Sequence, residues 1–243
     1  MGATSSPEQI SQIISILSKY LRLPFSDQNI PGSIMEHVFA HVRKAEVLNT
    51  YDFIDVIDRK EKIGWQVKST KYDTPVTWKR AKIANSLELI ESSRKSEEGL
   101  KILGEAIVDF CNNHAIESMR KYDLEQIGYI RIIVFPDKVQ YFERVLSDQK
   151  NPYVFDKSKY QWKWSKQKNS SKKEQLSALH GVDISTGKKI WSWHGLGENQ
   201  LHFNGEKDWW PGFSSYPDAV FNLPDDSKKI SIEEFLTILD SFK

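Results

Sequence analysis

Asp52 and Asp55 lie in the run Tyr51-Asp52-Phe53-Ile54-Asp55-Val56-Ile57. Gln66 and Lys68 follow in Gly64-Trp65-Gln66-Val67-Lys68-Ser69-Thr70. Carboxylate and amide oxygens are the ligands a hard divalent cation prefers, and a lysine beside them can orient a water against a phosphodiester. Magnesium keeps several of its own waters, so one or two protein oxygens and a substrate phosphate complete its shell. Asp52 and the amide oxygen of Gln66 are the expected ligands, with Lys68 facing the attacking water. Three residues apart on a regular strand, Asp52 and Asp55 point to opposite faces, so one is the ligand, and Asp55 is the alternate to Asp52.

Elements that position these groups are legible in the surrounding pattern. β-branched and aromatic residues on either side of Asp58-Arg59-Lys60-Glu61-Lys62 predict a β-hairpin with a polar turn. Alternation puts Gln66 and Lys68 on one face and Trp65 and Val67 on the other. Ser6-Pro7 predicts the start of a first helix carrying Ile10, Ile13, Ile14, Leu17 and Leu21, ending before Pro24. A second helix is expected over about Ser33 to Val47, with Met35, Val38, Phe39 and Val42 as its apolar stripe and Glu36 just ahead of the hairpin. Helices are expected over about Thr77 to Ser92 and Ser96 to Tyr122, then a buried strand over Ile127 to Phe135 and a closing helix over Ile232 to Phe242. The order of helix, hairpin, helices and buried strand implies an α/β sandwich.

At the hairpin the chain resembles the PD-(D/E)xK nuclease superfamily, whose motif is an aspartate at the start of one strand and an acidic-x-lysine on the next. Tyr51-Asp52-Phe53 stands where that family has Pro-Asp, Gln66-Val67-Lys68 where it has Glu-x-Lys, and Gln66 lies 14 positions after Asp52. The spacing is similar to the EcoRV-like type II restriction endonucleases. The resemblance implies a restriction-endonuclease-like core, a metal-binding backbone carbonyl at Val67, and Glu36 as the glutamate the family often places on the preceding helix. It also implies a Mg²⁺-dependent enzyme, a homodimer cutting both strands of double-stranded DNA at a short palindrome to leave 5′-phosphates. The chain departs from the pattern at Tyr51 and Gln66. An amide offers one acceptor without formal charge, so its metal affinity rests on Asp55 or Glu36. A repair or recombination nuclease of the same superfamily, or an inactive DNA-binding module, are the alternatives.

Across all 243 residues, 34 basic and 33 acidic side chains nearly cancel, so an anionic partner must be met by local clusters. One cluster follows the motif: Lys68, Lys71, Lys79, Arg80 and Lys82. From Asp156 to Gln175 seven lysines, Lys163, Lys166 and Lys168 among them, alternate with Tyr160, Trp162 and Trp164, which can stack on bases or brace a strand. Asn199 and Gln200 carry amides suited to adenine edges. Composition shifts near residue 150, which suggests a nuclease core over 1–150 and a β-rich DNA-recognition lobe over 151–243. The single cysteine, Cys111, excludes an intramolecular disulfide. With no leader-like segment and no long apolar run, a cytoplasmic location away from membranes is expected.

Overall fold

Helix α1 (Pro7–Tyr20) begins where the sequence signals it. Ser6 accepts a hydrogen bond from the Gln9 amide, and the Gln9 side chain accepts one from the Ser6 amide. Helix α2 (Gly32–Arg43) buries Met35, Phe39 and Val42 but is shorter than the predicted span. Lys44 takes a left-handed φ of 57°, and the chain turns into β1 (Glu46–Val47) instead. The computed structural model describes residues 2–50, 52–166, 168–170, 173–175, 177–196, 198–203, 210–211 and 215–242, the side chains of 168–170, 173–175 and Asp226 excepted.

The architecture is mixed α/β. A six-stranded sheet runs in the order β1, β2 (Val56–Asp58), β3 (Ile63–Lys71), β5 (Gln126–Val134), β6 (Lys138–Asp148), β13 (Ala219–Asn222). Its β3–β5 pair is parallel and its other pairs antiparallel. The β2–β3 hairpin closes on the Asp58 carboxylate, which accepts from the amides of Lys60 and Glu61, both at 3.0 Å. Trp65 and Val67 face α1 and α2 in one apolar core. Trp65 donates to the Ala3 carbonyl at 2.7 Å and meets Phe39 edge-on at 5.2 Å. Its register partner across β5 is Gly128, where an added Cβ would fall 2.3 Å from the indole, so glycine there makes room for the tryptophan.

A second, five-stranded antiparallel sheet has the order β4 (Val76–Arg80), β12 (Gln200–Phe203), β11 (Lys189–His194), β10 (Leu179–Asp183), β7 (Tyr160–Trp164). Short strands β8 (Lys168–Ser170) and β9 (Lys173–Gln175) form a separate hairpin. The expected helix over Thr77 to Ser92 is thus corrected to strand β4 followed by helix α3 (Ser86–Ser93). Val76 and Trp78 are buried while Thr77 is exposed, and pairing with β12, about 125 residues away, overrides local helix propensity. Trp78, Trp162, Trp191, Trp193 and Phe203 all turn to one face. Trp162 lies so close to Gly104 of helix α4 (Glu97–Lys121) that an added Cβ would sit 2.1 Å from its ring. Asn112 of α4 accepts from the amides of Val154 and Phe155 and donates to the Phe155 carbonyl, all within 3.0 Å.

The chain divides into two compact units, but not at residue 150. One comprises Met1–Asp73, Ser118–Gln149 and Ser215–Lys243, the other Thr74–Glu117 and Lys150–Ser214. The reason is strand pairing: β4 belongs with β12, and β13 returns to β6. Helix α5 (Ile232–Asp240), capped by Ser231 and Glu234, closes the chain. Among the described residues, no helix is long and apolar enough to cross a membrane.

Candidate functional site

The last residue pair of the β2–β3 ladder joins Val56 to Trp65, and the Asp55 amide still donates to the Trp65 carbonyl at 2.8 Å. Beyond it the chain before β2 leaves the sheet, with Phe53 and Ile54 fully buried and the Phe53 amide held by Ser118 Oγ. The Asp55 carboxylate takes over the vacated ladder position and accepts from the Val67 amide at 2.8 Å. On a strand, a residue's N–H and C=O point to the same side, so the Val67 carbonyl is turned toward the Asp55 edge as well.

Glu36 reaches the same neighbourhood from α2. Partial burial first, and then the negative charge of Asp55, push its carboxyl above the usual range, while Lys68 and His37 pull the other way. Ser69 of β3 anchors the loop before α2 by donating to the Ile30 carbonyl at 2.6 Å. Lys68 is half-buried and makes no hydrogen bond or close ion pair with the described residues. Gln66 is 2% exposed, and its Oε1 has no hydrogen-bond partner among the described residues. Buried acceptors are nearly always satisfied, so an orphan amide oxygen one strand position before Val67 is a candidate cation ligand. Two carboxylates in mutual repulsion, a buried amide oxygen and a strand-edge carbonyl are a donor set that fits magnesium, which needs few protein oxygens. Among the described residues there is no group of three or more histidine, cysteine, aspartate or glutamate side chains placed to share a metal.

Asp52 stands elsewhere. Its carboxylate forms an ion pair with Lys121 at 2.8 Å and accepts from Tyr122, at the end of α4. Burial opposes its ionisation, but the hydrogen bonds from Lys121, Tyr122 and Thr50 outweigh that and hold its pKa at about 2. Asp52 is therefore a neutralised anchor between this loop and α4, whereas Asp55 is bonded to the Val67 amide and Glu36 lies within electrostatic reach of Asp55 and Lys68. Tyr51 lies outside the described residues.

A further cation escaped sequence reasoning. Arg131 on β5 is the register partner of Lys68, is fully buried, and donates to Thr70 Oγ1 at 2.8 Å and the Ile132 carbonyl at 2.6 Å. Burial lowers its pKa to about 10. The signal was present as a lone arginine within Ile130-Arg131-Ile132-Ile133.

The remaining basic and amide candidates are dispersed. Lys71 is exposed at the end of β3, and Lys166 is exposed after β7. Lys79 stands opposite buried Leu201 past a bulge, and its charge acts on buried Cys111, so it faces inward. Arg80 and Lys163 are exposed on the two edge strands of the five-stranded sheet. Gln200 begins β12, and Asn199, with φ of 54°, forms the turn before it. The Lys168 side chain lies outside what is described. Of the interleaved aromatics, Trp162 is buried and Trp164 donates to Ser93 Oγ at 3.0 Å, so they brace the strand.

Comparison of the chain with protein-family models, with curated proteins and with solved structures gave no match.

Proposed function

We propose that the protein is a Mg²⁺-dependent deoxyribonuclease of the PD-(D/E)xK type, acting on double-stranded DNA in the manner of a type II restriction endonuclease. What supports this reading is the Asp55 carboxylate held on the Val67 amide at the strand edge, with Glu36 within electrostatic reach of Asp55 and Lys68, and with Gln66, whose Oε1 has no partner among the described residues, one position before Val67. The metal ligand in this reading is Asp55, the alternate, and not Asp52. Asp55, Glu36, Gln66 Oε1 and the Val67 carbonyl would hold the ion. When bound, the ion neutralises charge on a non-bridging phosphate oxygen and lowers the pKa of its water.

Each residue then has a distinct part. The Lys68 ammonium, with three donors and no competing partner among the described residues, orients the attacking water and the phosphate for in-line displacement. Asp55 and Glu36 favour a nearby cation because the Asp55 charge raises the cost of ionising Glu36. Gln66 contributes an oxygen without adding a third charge. The water oxygen bonds to phosphorus as the bond to the 3′ oxygen breaks, giving a 5′-phosphate and a 3′-hydroxyl. Cutting both strands of a palindrome takes two such sites, hence two copies of the chain.

The neutral Gln66 also favours a second reading, a DNA-binding module without catalysis. Incubating the purified chain with supercoiled plasmid separates them. Discrete Mg²⁺-dependent bands, abolished by EDTA, support the restriction-type nuclease. Nicks or structure-dependent cuts support a repair nuclease, and intact plasmid that is nonetheless bound supports the module.

A further inference from the structure

The five-stranded sheet has two faces of opposite character. One carries the tryptophans described above. On the other, register places Lys163, His180, Ser192, His202 and Thr77 in a single row across all five strands. His194, Gln200 and Arg80 form a second row beside it, and Gln161, Val182 and Lys189 a third. Lys163, Lys189, Arg80, Gln161 and Thr77 are exposed, and the histidines are half-buried. Field effects agree with this grouping: burial and then Lys189, Lys163 and His194 lower the pKa of His180. The His194 and His202 rings are 5.3 Å apart, and Thr77 Oγ1 lies 3.2 Å from His202 Nδ1.

Among the described residues, no carboxylate occupies an outward strand position on this face. Among the described residues, Glu198 in the turn before β12 acts on His202, and Glu97, Glu98 and Glu105 of α4 line the groove beyond the β7 edge. In a chain with 33 acidic residues against 34 basic ones, a face bearing three lysine or arginine side chains, three histidines, two glutamines and no acid is complementary to a polyanion. Sheets that read single strands present aromatic rings for bases to stack on. Here every tryptophan, tyrosine and phenylalanine on these strands is on the opposite face and the three outward imidazoles are half-buried, so the polyanion is a duplex, approached through its phosphates and groove edges.

We propose that this polar sheet face is the duplex-DNA contact surface. The choice of DNA over RNA rests on the nuclease reading above. Four strand spacings separate the edge strands by about 19 Å, more than the about 12 Å of the major groove. The face therefore spans a groove. Lys163 and Arg80, on the edge strands, fall on the flanking phosphate backbones. The central glutamine and histidine side chains face base edges, where amide and imidazole groups match donor and acceptor pairs.

The test is equilibrium binding of the full chain to a fluorescein-labelled DNA duplex in EDTA, over a series of NaCl concentrations. Combining Arg80→Gln, Lys163→Gln and Lys189→Gln is expected to weaken binding at least tenfold and to reduce the salt slope by about 0.9 for each phosphate that is no longer neutralised. Ser192→Asp, which puts one acid at the centre of the face, should also weaken binding. Lys19→Gln, Lys60→Gln and Lys95→Gln together remove the same charge elsewhere and should leave the slope unchanged. Wild-type affinity in the face variants, an equal weakening in the control, or tighter binding of single-stranded DNA or duplex RNA would each overturn the proposal. A chain that binds through this face yet never cuts with Mg²⁺ sinks the nuclease reading and not this one. A chain that cuts while its face variants bind normally does the reverse.

Discussion

The Asp55 carboxylate accepts the Val67 amide at 2.8 Å, occupying the ladder position that the chain before β2 gives up when it leaves the sheet. One oxygen of Asp55 is thereby fixed against β3, close enough to Glu36 to raise its pKa. Asp55→Asn keeps an acceptor for Val67 and loses the charge. It should melt close to wild type and lose about 10²-fold or more in single-turnover cleavage. Asp55→Ala should lose both activity and stability.

Asp52 is predicted to matter to folding more than to chemistry. Its carboxyl, at about 2 instead of the ordinary 3.8, favours the folded state at every pH above 3.8, and that contribution fades as pH falls toward 2. Asp52→Asn should cost about 1–2 kcal/mol at neutral pH, a fall of about 3–6 °C in Tm, and cost much less activity than Asp55→Asn. Thermal melts from pH 7 down to pH 2 check the sign: the gap between wild type and variant should close in acid.

Glu36 behaves oppositely. Its raised pKa means that the folded state holds the ionised form at a cost, so stability declines as pH rises through the range between the ordinary and the raised value. Glu36→Gln should therefore melt roughly 1–3 °C higher in EDTA at neutral pH while weakening Mg²⁺-dependent cleavage. In the wild type, the Mg²⁺ requirement should steepen as pH drops into the raised range of Glu36. A variant that is both less stable and fully active would refute this role.

Gln66 offers a buried acceptor with no partner among the described residues. Gln66→Glu restores an acid at that position, and without metal the added buried charge should lower Tm. Mg²⁺ should recover the loss, and the Mg²⁺ midpoint for cleavage should fall roughly tenfold. Melts with and without Mg²⁺ on both forms read this directly. A Glu variant indifferent to Mg²⁺ would place residue 66 outside the ion's reach.

Much of this arrangement could be read from local pattern. Ser6 and Pro7 announced α1, the Met35/Phe39/Val42 stripe announced α2, and alternation around Gln66 and Lys68 put Trp65 and Val67 correctly on the apolar face. What escaped depends on distant partners. Val76 to Arg80 becomes a strand because β12 pairs with it. Asp52 and Asp55 look alike in sequence, and the distinction comes from Ser118, Lys121 and Tyr122, roughly 65 to 70 positions downstream, drawing the chain toward α4. Division near residue 150 tracked a real change in composition, yet strand pairing does not respect chain order.

The central claim is that Lys68, with Asp55 and Glu36, hydrolyses DNA with Mg²⁺, and the most direct measurement compares wild type and Lys68→Ala on supercoiled plasmid with Mg²⁺ and with EDTA. The account predicts discrete linear products from the wild type with Mg²⁺ only, and a loss of about 10²-fold or more in Lys68→Ala at unchanged Tm. Cleavage by Lys68→Ala at the wild-type rate, or cleavage by the wild type that persists in EDTA, would contradict it.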